Sequence, residues 1–279
     1  MRKRSEFLMK TWLPDPEKIV VGFSKDGFKD HKGKEGLKYY ALMMCLRCHM
    51  DSFGRVILSP DLILKEITKR TTCFTKKEIK AIADMVYKEV VNPGYAEIEF
   101  DSEDITAKTF FILKFSKEKN PFFVESNYVT ISSYEYHRIL YYVNAYPEAN
   151  VSKVFMLGVY TYIKSYINKE ANIAYPTKQQ ISDGLGISVR SVERNIIALE
   201  KAELLYVKRN LYINQTSQSS KEATGSTSNR FYIPARNVYA IDPDAIKGDA
   251  VFSELEKLYG KEVVSRDQVD GKIGFLPKL

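Results

Sequence analysis

The stretch between residues 176 and 201 constrains the fold most, because it predicts two short helices separated by a tight turn. Pro176 to Gly186 is typical of a helix that has proline in its first turn and glycine in a left-handed cap at its end. Ser188 follows two residues later and is a natural N-cap for a second helix that runs to Lys201. The apolar stripe of this second helix recurs at helical spacing and comprises Val192, Ile196 and Leu199.

The elements around this helix pair predict a complete small domain. An amphipathic helix is expected from about 150 to 169, and a short apolar run follows at 173–175. Two strand-like runs, Leu205 to Ile213 and Arg230 to Pro234, are expected to pair as a hairpin. The tract between them, 214–229, has eight Ser or Thr among its sixteen residues and predicts a mobile loop at the hairpin tip. This order of elements predicts a winged helix-turn-helix, with the hairpin as its wing.

An earlier segment repeats the same order about 113 residues upstream, when Thr75 is aligned with Ser188. Ile79, Ala83 and Val86 then fall at the positions of the later apolar stripe. The predicted helices are 37–50, 60–67 and 75–87, and the predicted strands are 55–58, 95–100 and 109–115, with a polar wing tip at 101–108. The chain is therefore expected to hold two tandem winged helices.

The predicted fold class is α+β and mainly helical, which suits 279 residues at about 150 residues per domain. Ser132 and Glu135 form a capping box that predicts a helix in the segment joining the two domains. The amphipathic helix predicted at 249–259 carries Val251, Leu255, Leu258 and Tyr259, a stripe that a replication partner or a second copy could use. The predicted organisation is an N-terminal arm at 1–34, a first winged helix at 35–120, a connecting strand and helix at 121–148, a second winged helix at 149–234 and a C-terminal tail at 235–279.

Motifs that would indicate an enzyme are weak. Gly22 and Gly27 have the spacing of a phosphate-binding loop, but Phe28 stands where that loop needs lysine. The three histidines do not form a two-histidine metal motif. A tyrosine nucleophile among the 19 tyrosines stays open, although no basic or metal-binding group singles one out. Because no enzyme motif is complete, the sequence predicts a protein that is not an enzyme. Because it has neither a secretory signal nor a long apolar segment, the sequence also predicts a cytoplasmic protein that does not bind membranes.

The cysteines are expected to be reduced and buried, with no cofactor and no metal bound. Cys45-Leu-Arg-Cys48-His49 matches the attachment pattern of c-type haem, but it lies inside a predicted amphipathic helix. A structural zinc ion held by Cys45, Cys48, His49 and Cys73 is the alternative, although the second paired motif of most zinc sites is missing.

Double-stranded DNA is the predicted partner, in keeping with a net charge of +7 and a pI near 9.0. On the outward face of the helix after Ser188, Arg190 and Arg194 are expected to contact bases or phosphates. The alternative is that these charges are simply solvated, as most helical charges are. The predicted DNA-binding residues are Ser188, Arg190, Ser191, Arg194 and Asn195 in the second helix pair, Lys76, Lys77 and Lys80 in the first, and Lys208 and Arg209 in the wing.

The segment from Tyr175 to Leu205 resembles the winged helix-turn-helix regions of bacterial, plasmid and phage proteins. It departs from their pattern at Glu203, where glycine is common. The tandem arrangement is similar to that of plasmid replication initiators and of DnaD-type replisome organisers. The resemblance implies sequence-specific binding of repeated DNA sites by a replication initiator. A transcriptional regulator of a mobile element, or a winged-helix module that binds proteins, is the alternative.

Overall fold

The protein is an α+β structure, mainly helical with small antiparallel sheets, as the sequence predicts. The computed structural model describes residues 19–68, 70, 74–99, 109–116, 118–122, 124, 126–209, 212–216, 230–234 and 237–246, with a few positions between 251 and 257. None of the helices within these ranges is long and apolar enough to cross a membrane.

The first unit has the predicted order of helix, strand, two helices and two strands. Its elements are α2 (Gly33–Cys48), β2 (Arg55–Leu58), α3 (Pro60–Ile67), α4 (Lys76–Val86), β3 (Ala96–Glu99) and β4 (Phe111–Phe115). A π-helical turn extends α4 through Tyr87–Val91. The strands form one antiparallel sheet in the order β2, β4, β3. The wing tip predicted at 101–108 lies outside the described residues.

The second unit repeats this order and this strand arrangement. It consists of α6 (Lys153–Ser165), β6 (Ile173–Ala174), α7 (Lys178–Leu185), α8 (Val189–Lys201), β7 (Tyr206–Lys208) and β10 (Val238–Ala240). The sheet order is β6, β10, β7, so the last strand lies between the other two, as in the first unit.

The hairpin predicted for the second unit forms a separate ladder. The backbones of β8 (Tyr212–Thr216) and β9 (Arg230–Pro234) pair with each other, while β7 pairs with β10 instead. The boundary predicted at residue 234 is therefore wrong, because β10 completes the sheet of the second unit. The Ser/Thr-rich tip beyond β8 lies outside the described residues. So does most of the predicted C-terminal helix, of which Val251 is described and is buried.

The predicted N-terminal arm is wrong for residues 20–34, because this segment packs into the body of the protein. Strand β1 (Val20–Ser24) pairs antiparallel with β5 (Tyr128–Ser132), which precedes α5 (Ser133–Ala145). The short helix α1 (Gly27–Asp30) buries Phe28 against the rings of Tyr40 and Tyr162. Residues 1–18 lie outside the described part of the chain.

The segment between the two units contains β5 and α5. Ser132 and Glu135 form the capping box at the start of α5. The other oxygen of Glu135 accepts hydrogen bonds from the Tyr160 hydroxyl and from Lys164 on α6. This local cap therefore also attaches α5 to the second unit.

One continuous hydrophobic core joins the two units. Helices α2 and α6 pack against each other, and a methyl group of Leu37 approaches Gly158 so closely that a Cβ there would lie 3.1 Å away. Buried residues from both units belong to the same apolar cluster. The two helix pairs are therefore held in a fixed relative position, since protein cores pack at crystal-like density.

Candidate nucleic-acid interface

The turn between α7 and α8 is fixed by backbone geometry and by one buried side chain. Gly186 ends α7 in the left-handed conformation, with φ of 64°. The Ser182 hydroxyl donates to the carbonyl of Ile187 at 2.6 Å. Ser188 then caps α8 by accepting from the Ser191 amide at 3.2 Å. These contacts hold α7 and α8 in the helix–turn–helix arrangement that the sequence predicts.

The exposed face of α8 combines a cation with an apolar side chain. Arg190 is exposed in the first turn, and Ile197 is 44% exposed two turns later. Glu193 lies between them and pairs with Lys178 of α7 at 2.5 Å. The hydrogen bond from Lys178 lowers the pKa of the Glu193 carboxyl. Ile197 and Lys178 are absent from the predicted site, although helical spacing from Arg190 places Ile197 on the same face.

Asn195 does not point outward, so the prediction that its side chain lies on the exposed face of α8 is wrong. Its side chain is 1% exposed, and Nδ2 donates to the Ser191 carbonyl at 2.8 Å. Its Oδ1 atom is buried without a hydrogen-bond partner in the described part of the chain. Ser191 is half-buried beside it.

Two predicted arginines are engaged by neighbouring parts of the protein. Arg194 is half-buried and donates through Nη1 to the carbonyl of Asn150 at 3.1 Å, ahead of α6. Arg209 forms a two-pronged pair with the carboxylate of Glu200, and the hydrogen bond raises the pKa of the Arg209 guanidinium. Arg209 would have to leave Glu200 to bind DNA, whereas Arg194 keeps N–H donors that its bond to Asn150 does not use. Lys208 in β7 is half-buried.

Helix α4 presents the corresponding face of the first unit. Thr75 and Glu78 form a capping box, so Thr75 takes the position that Ser188 takes in α8. The Glu78 carboxylate also pairs with Arg70. Lys76, Lys77 and Lys80 are all exposed in the first two turns, and none pairs with an acidic residue in the described part of the chain. These three charges are therefore available to an external anion.

Among the described residues, Cys48 does not join Cys45 and His49 as the predicted zinc set requires. Cys45 is buried and Cys48 half-buried, both as free thiols, while Cys73 lies outside the described residues. The group near Cys45 and His49 is instead Glu66 of α3. Partial burial raises the pKa of the Cys48 thiol to about 12.

The tyrosines between 128 and 166 are divided between core and surface. Tyr136, Tyr160 and Tyr162 are buried, whereas Tyr134, Tyr141, Tyr146 and Tyr166 are among the exposed aromatic side chains. Burial raises the pKa of the Tyr136 and Tyr160 phenols well above the usual value.

Comparison with known proteins gives one distant structural similarity. No protein family model matches the chain, and no curated protein matches its sequence. A crystal structure of the Pi initiator protein in complex with iteron DNA aligns with 12% sequence identity and a TM-score of 0.39. The alignment covers 82% of this chain and 99% of that chain.

Proposed function

We propose that the protein binds double-stranded DNA in a sequence-specific manner through two winged helices, without acting as an enzyme. The observation that supports this proposal best is that α4 and α8 begin at equivalent caps, Thr75 and Ser188, and expose cations in their first turns. In helix-turn-helix proteins this end of the helix contacts the bases.

In this proposal α8 is the helix that reads the bases. Arg190 can donate two parallel hydrogen bonds to the O6 and N7 atoms of guanine, the commonest base-specific contact in the major groove. Ile197 can pack on the methyl group of thymine, since it is exposed on the same face. Each good contact of the first kind discriminates by about 1–3 kcal/mol.

Helix α4 contributes contacts to phosphates. Lys76, Lys77 and Lys80 are compact charges on flexible stems, and lysine suits phosphate binding more than two-pronged base recognition. Such contacts raise affinity for every sequence by releasing counterions. The two units thus have unequal roles, with specificity in α8 and general affinity in α4.

The shared core implies a fixed distance between the two DNA contacts. Because α2 and α6 pack directly, the units cannot adjust their spacing as domains on a flexible linker would. The protein should therefore recognise a composite site in which the two parts keep a constant separation. Two contacts on one rigid body also raise the overall affinity above that of either unit alone.

The biological role that we propose is replication initiation on a plasmid or phage, as the sequence resemblance implies. A transcriptional regulator of a mobile element is the alternative. Footprinting on the DNA that surrounds the protein's own gene distinguishes the two roles, because repeated sites at an origin differ from an operator at a promoter.

The direct test of DNA reading is a selection from a random duplex pool, followed by affinity measurements with Arg190→Ala. This variant should lose about 1–3 kcal/mol on the selected site and much less on random duplex. Lys201→Ala is the matched control, because it removes one exposed charge at the far end of the same helix. An equal loss on both duplexes for Arg190→Ala would show that α8 does not read the sequence.

A further inference from the structure

The carboxyl ends of α2 and α3 meet at a cluster of three metal-binding side chains. Cys45 lies in the last turn of α2, and His49 is the residue that caps this helix. Glu66 lies in the last turn of α3. One ligand atom from each of the three residues lies within 4.8 Å of the other two. This separation is close to what a single tetrahedral ion requires after a small adjustment of the side chains.

We propose that Cys45, His49 and Glu66 bind one zinc ion that fastens α2 to α3. Sulfur, imidazole nitrogen and carboxylate oxygen are the three ligand types that zinc takes in proteins. Magnesium and calcium prefer oxygen ligands alone, so the cysteine favours zinc over both. Three protein ligands leave a fourth tetrahedral position for a water molecule.

The Glu66 carboxylate supports this assignment independently. Its Oε2 atom lies 2.7 Å from Nε2 of His49. Oε1 is buried and has no partner with good hydrogen-bond geometry among the described residues, although the Tyr136 hydroxyl and the Cys45 thiol lie close enough to Glu66 to affect the pKa of its carboxyl or their own. A buried carboxylate oxygen without a partner is costly, and a bound cation would remove that cost. Nearby Lys153 does not supply the partner, because its Nζ atom donates to the carbonyl of Lys65 at 3.2 Å.

The two helix ends add a field that favours a cation. The carboxyl end of a helix carries a partial negative charge, and all three ligands lie in or next to the last turn of a helix. Burial, and then the charge of Glu66, raise the pKa of the Cys45 thiol, so the metal-free cluster holds a protonated cysteine. Zinc would displace the thiol proton, so binding should release a proton.

Sequence spacing alone points to a different set of zinc ligands, in which Cys48 joins Cys45 and His49. Cys48 lies three residues after Cys45, but it is not one of the three residues whose ligand atoms converge. Glu66 is far from them in sequence and reaches them because α3 packs against α2. The ion would therefore brace the helices that precede α4, and this inference does not depend on DNA binding.

The test is metal titration of the full chain after chelation and removal of the chelator. Zinc should bind with one ion per chain and raise the melting temperature, since a ligand that binds only the folded state stabilises it. His49→Gln and Glu66→Gln should each weaken zinc affinity by at least about tenfold, which is the loss caused even by altering a residue that only supports a ligand. Cys48→Ser is the matched control and should bind zinc like the wild type.

Cobalt supplies a second readout, because cobalt bound to a thiolate has an intense charge-transfer absorption. This absorption should appear in the wild type and in Cys48→Ser, and should be absent from Cys45→Ser. If Cys45→Ser fails to fold, the zinc affinity of His49→Gln still tests the proposal, because the His49 side chain is half-exposed. The proposal is overturned if the wild type binds no stoichiometric zinc, if His49→Gln and Glu66→Gln bind it normally, or if Cys48→Ser loses it.

Discussion

Replacing Gly184 with alanine should destabilise the protein, because the ring of Tyr162 occupies the space that a Cβ needs. An ideal Cβ at residue 184 would lie 2.3 Å from Cε2 of Tyr162, whereas ordinary contacts begin near 3.4 Å, so the ring would have to move by about 1.1 Å. It has little freedom to do so. Phe28 and Tyr166 pack on it at ring-centroid distances of 5.1 and 5.0 Å, and its hydroxyl donates to the carbonyl of Gln180 at 3.1 Å.

Three effects set the size of this change. Overpacking costs about 1–3 kcal/mol, and loss of the Tyr162 hydrogen bond costs about 1 kcal/mol. The greater helix propensity of alanine returns about 1 kcal/mol. The net loss should be about 1–3 kcal/mol, and each kcal/mol lowers the melting temperature by roughly 2–4 °C in a protein of this size.

Differential scanning calorimetry measures this loss, with Gly27→Ala as the control. A Cβ at residue 27 would meet its nearest neighbours, His31 and Tyr40, at 3.9 Å, so this variant should be neutral or slightly more stable. If Gly184→Ala melts at the same temperature as Gly27→Ala, then α1, α6 and α7 do not pack as described.

Two further substitutions test individual positions. Glu203→Gly should stabilise the protein by up to about 1 kcal/mol, because Glu203 has φ of 57°, a conformation that costs a residue other than glycine about 1 kcal/mol or more. The substitution also removes an exposed ion pair between Glu203 and Arg138, but such pairs contribute little to stability. Arg138 keeps its hydrogen bond to the carbonyl of Ala202. Denaturant unfolding measures the change, and a loss above about 1 kcal/mol would contradict it. Asn195→Leu should leave the ratio of cognate to random DNA affinity unchanged, because Asn195 is buried. A tenfold change in that ratio would place Asn195 at the DNA.

The helix starts can be predicted from the sequence because caps are local signals. Thr75, Ser132 and Ser188 each precede an apolar repeat at helical spacing, and each caps a helix in the structure. The sequence also indicates the unusual backbone at Glu203. The winged helix-turn-helix regions that it resembles commonly have glycine at this position, and the backbone of Glu203 is left-handed in the structure.

Long-range pairings cannot be predicted in the same way. Strand β1 finds its partner β5 more than a hundred residues later, and β10 joins its sheet only after the β8 and β9 ladder. Neither β1 nor β10 has a local sequence pattern that identifies the strand with which it pairs. The convergence of Glu66 with Cys45 and His49 also depends on how two helices pack.

The helical spacing of the sequence predicts that Asn195 is buried, whereas the polarity of its side chain predicts that it is exposed. Residues 192, 195, 196 and 199 follow the spacing of a helix face that is packed against a core. A polar amide nevertheless favours the outward face when the side chain alone is considered. In the structure the amide is buried with the stripe and donates to the Ser191 carbonyl within its own helix.

The salt dependence of DNA affinity tests most directly whether both units contact DNA. The variant in which Lys76, Lys77 and Lys80 are all changed to alanine should bind cognate and random duplex more weakly by similar factors. Its slope of log K against log salt should flatten by up to about 3, at roughly 0.9 for each phosphate that is no longer neutralised. An unchanged slope would contradict the account, because it would mean that these lysines do not face DNA. A normal slope with altered site preference would make α4 the helix that reads the sequence.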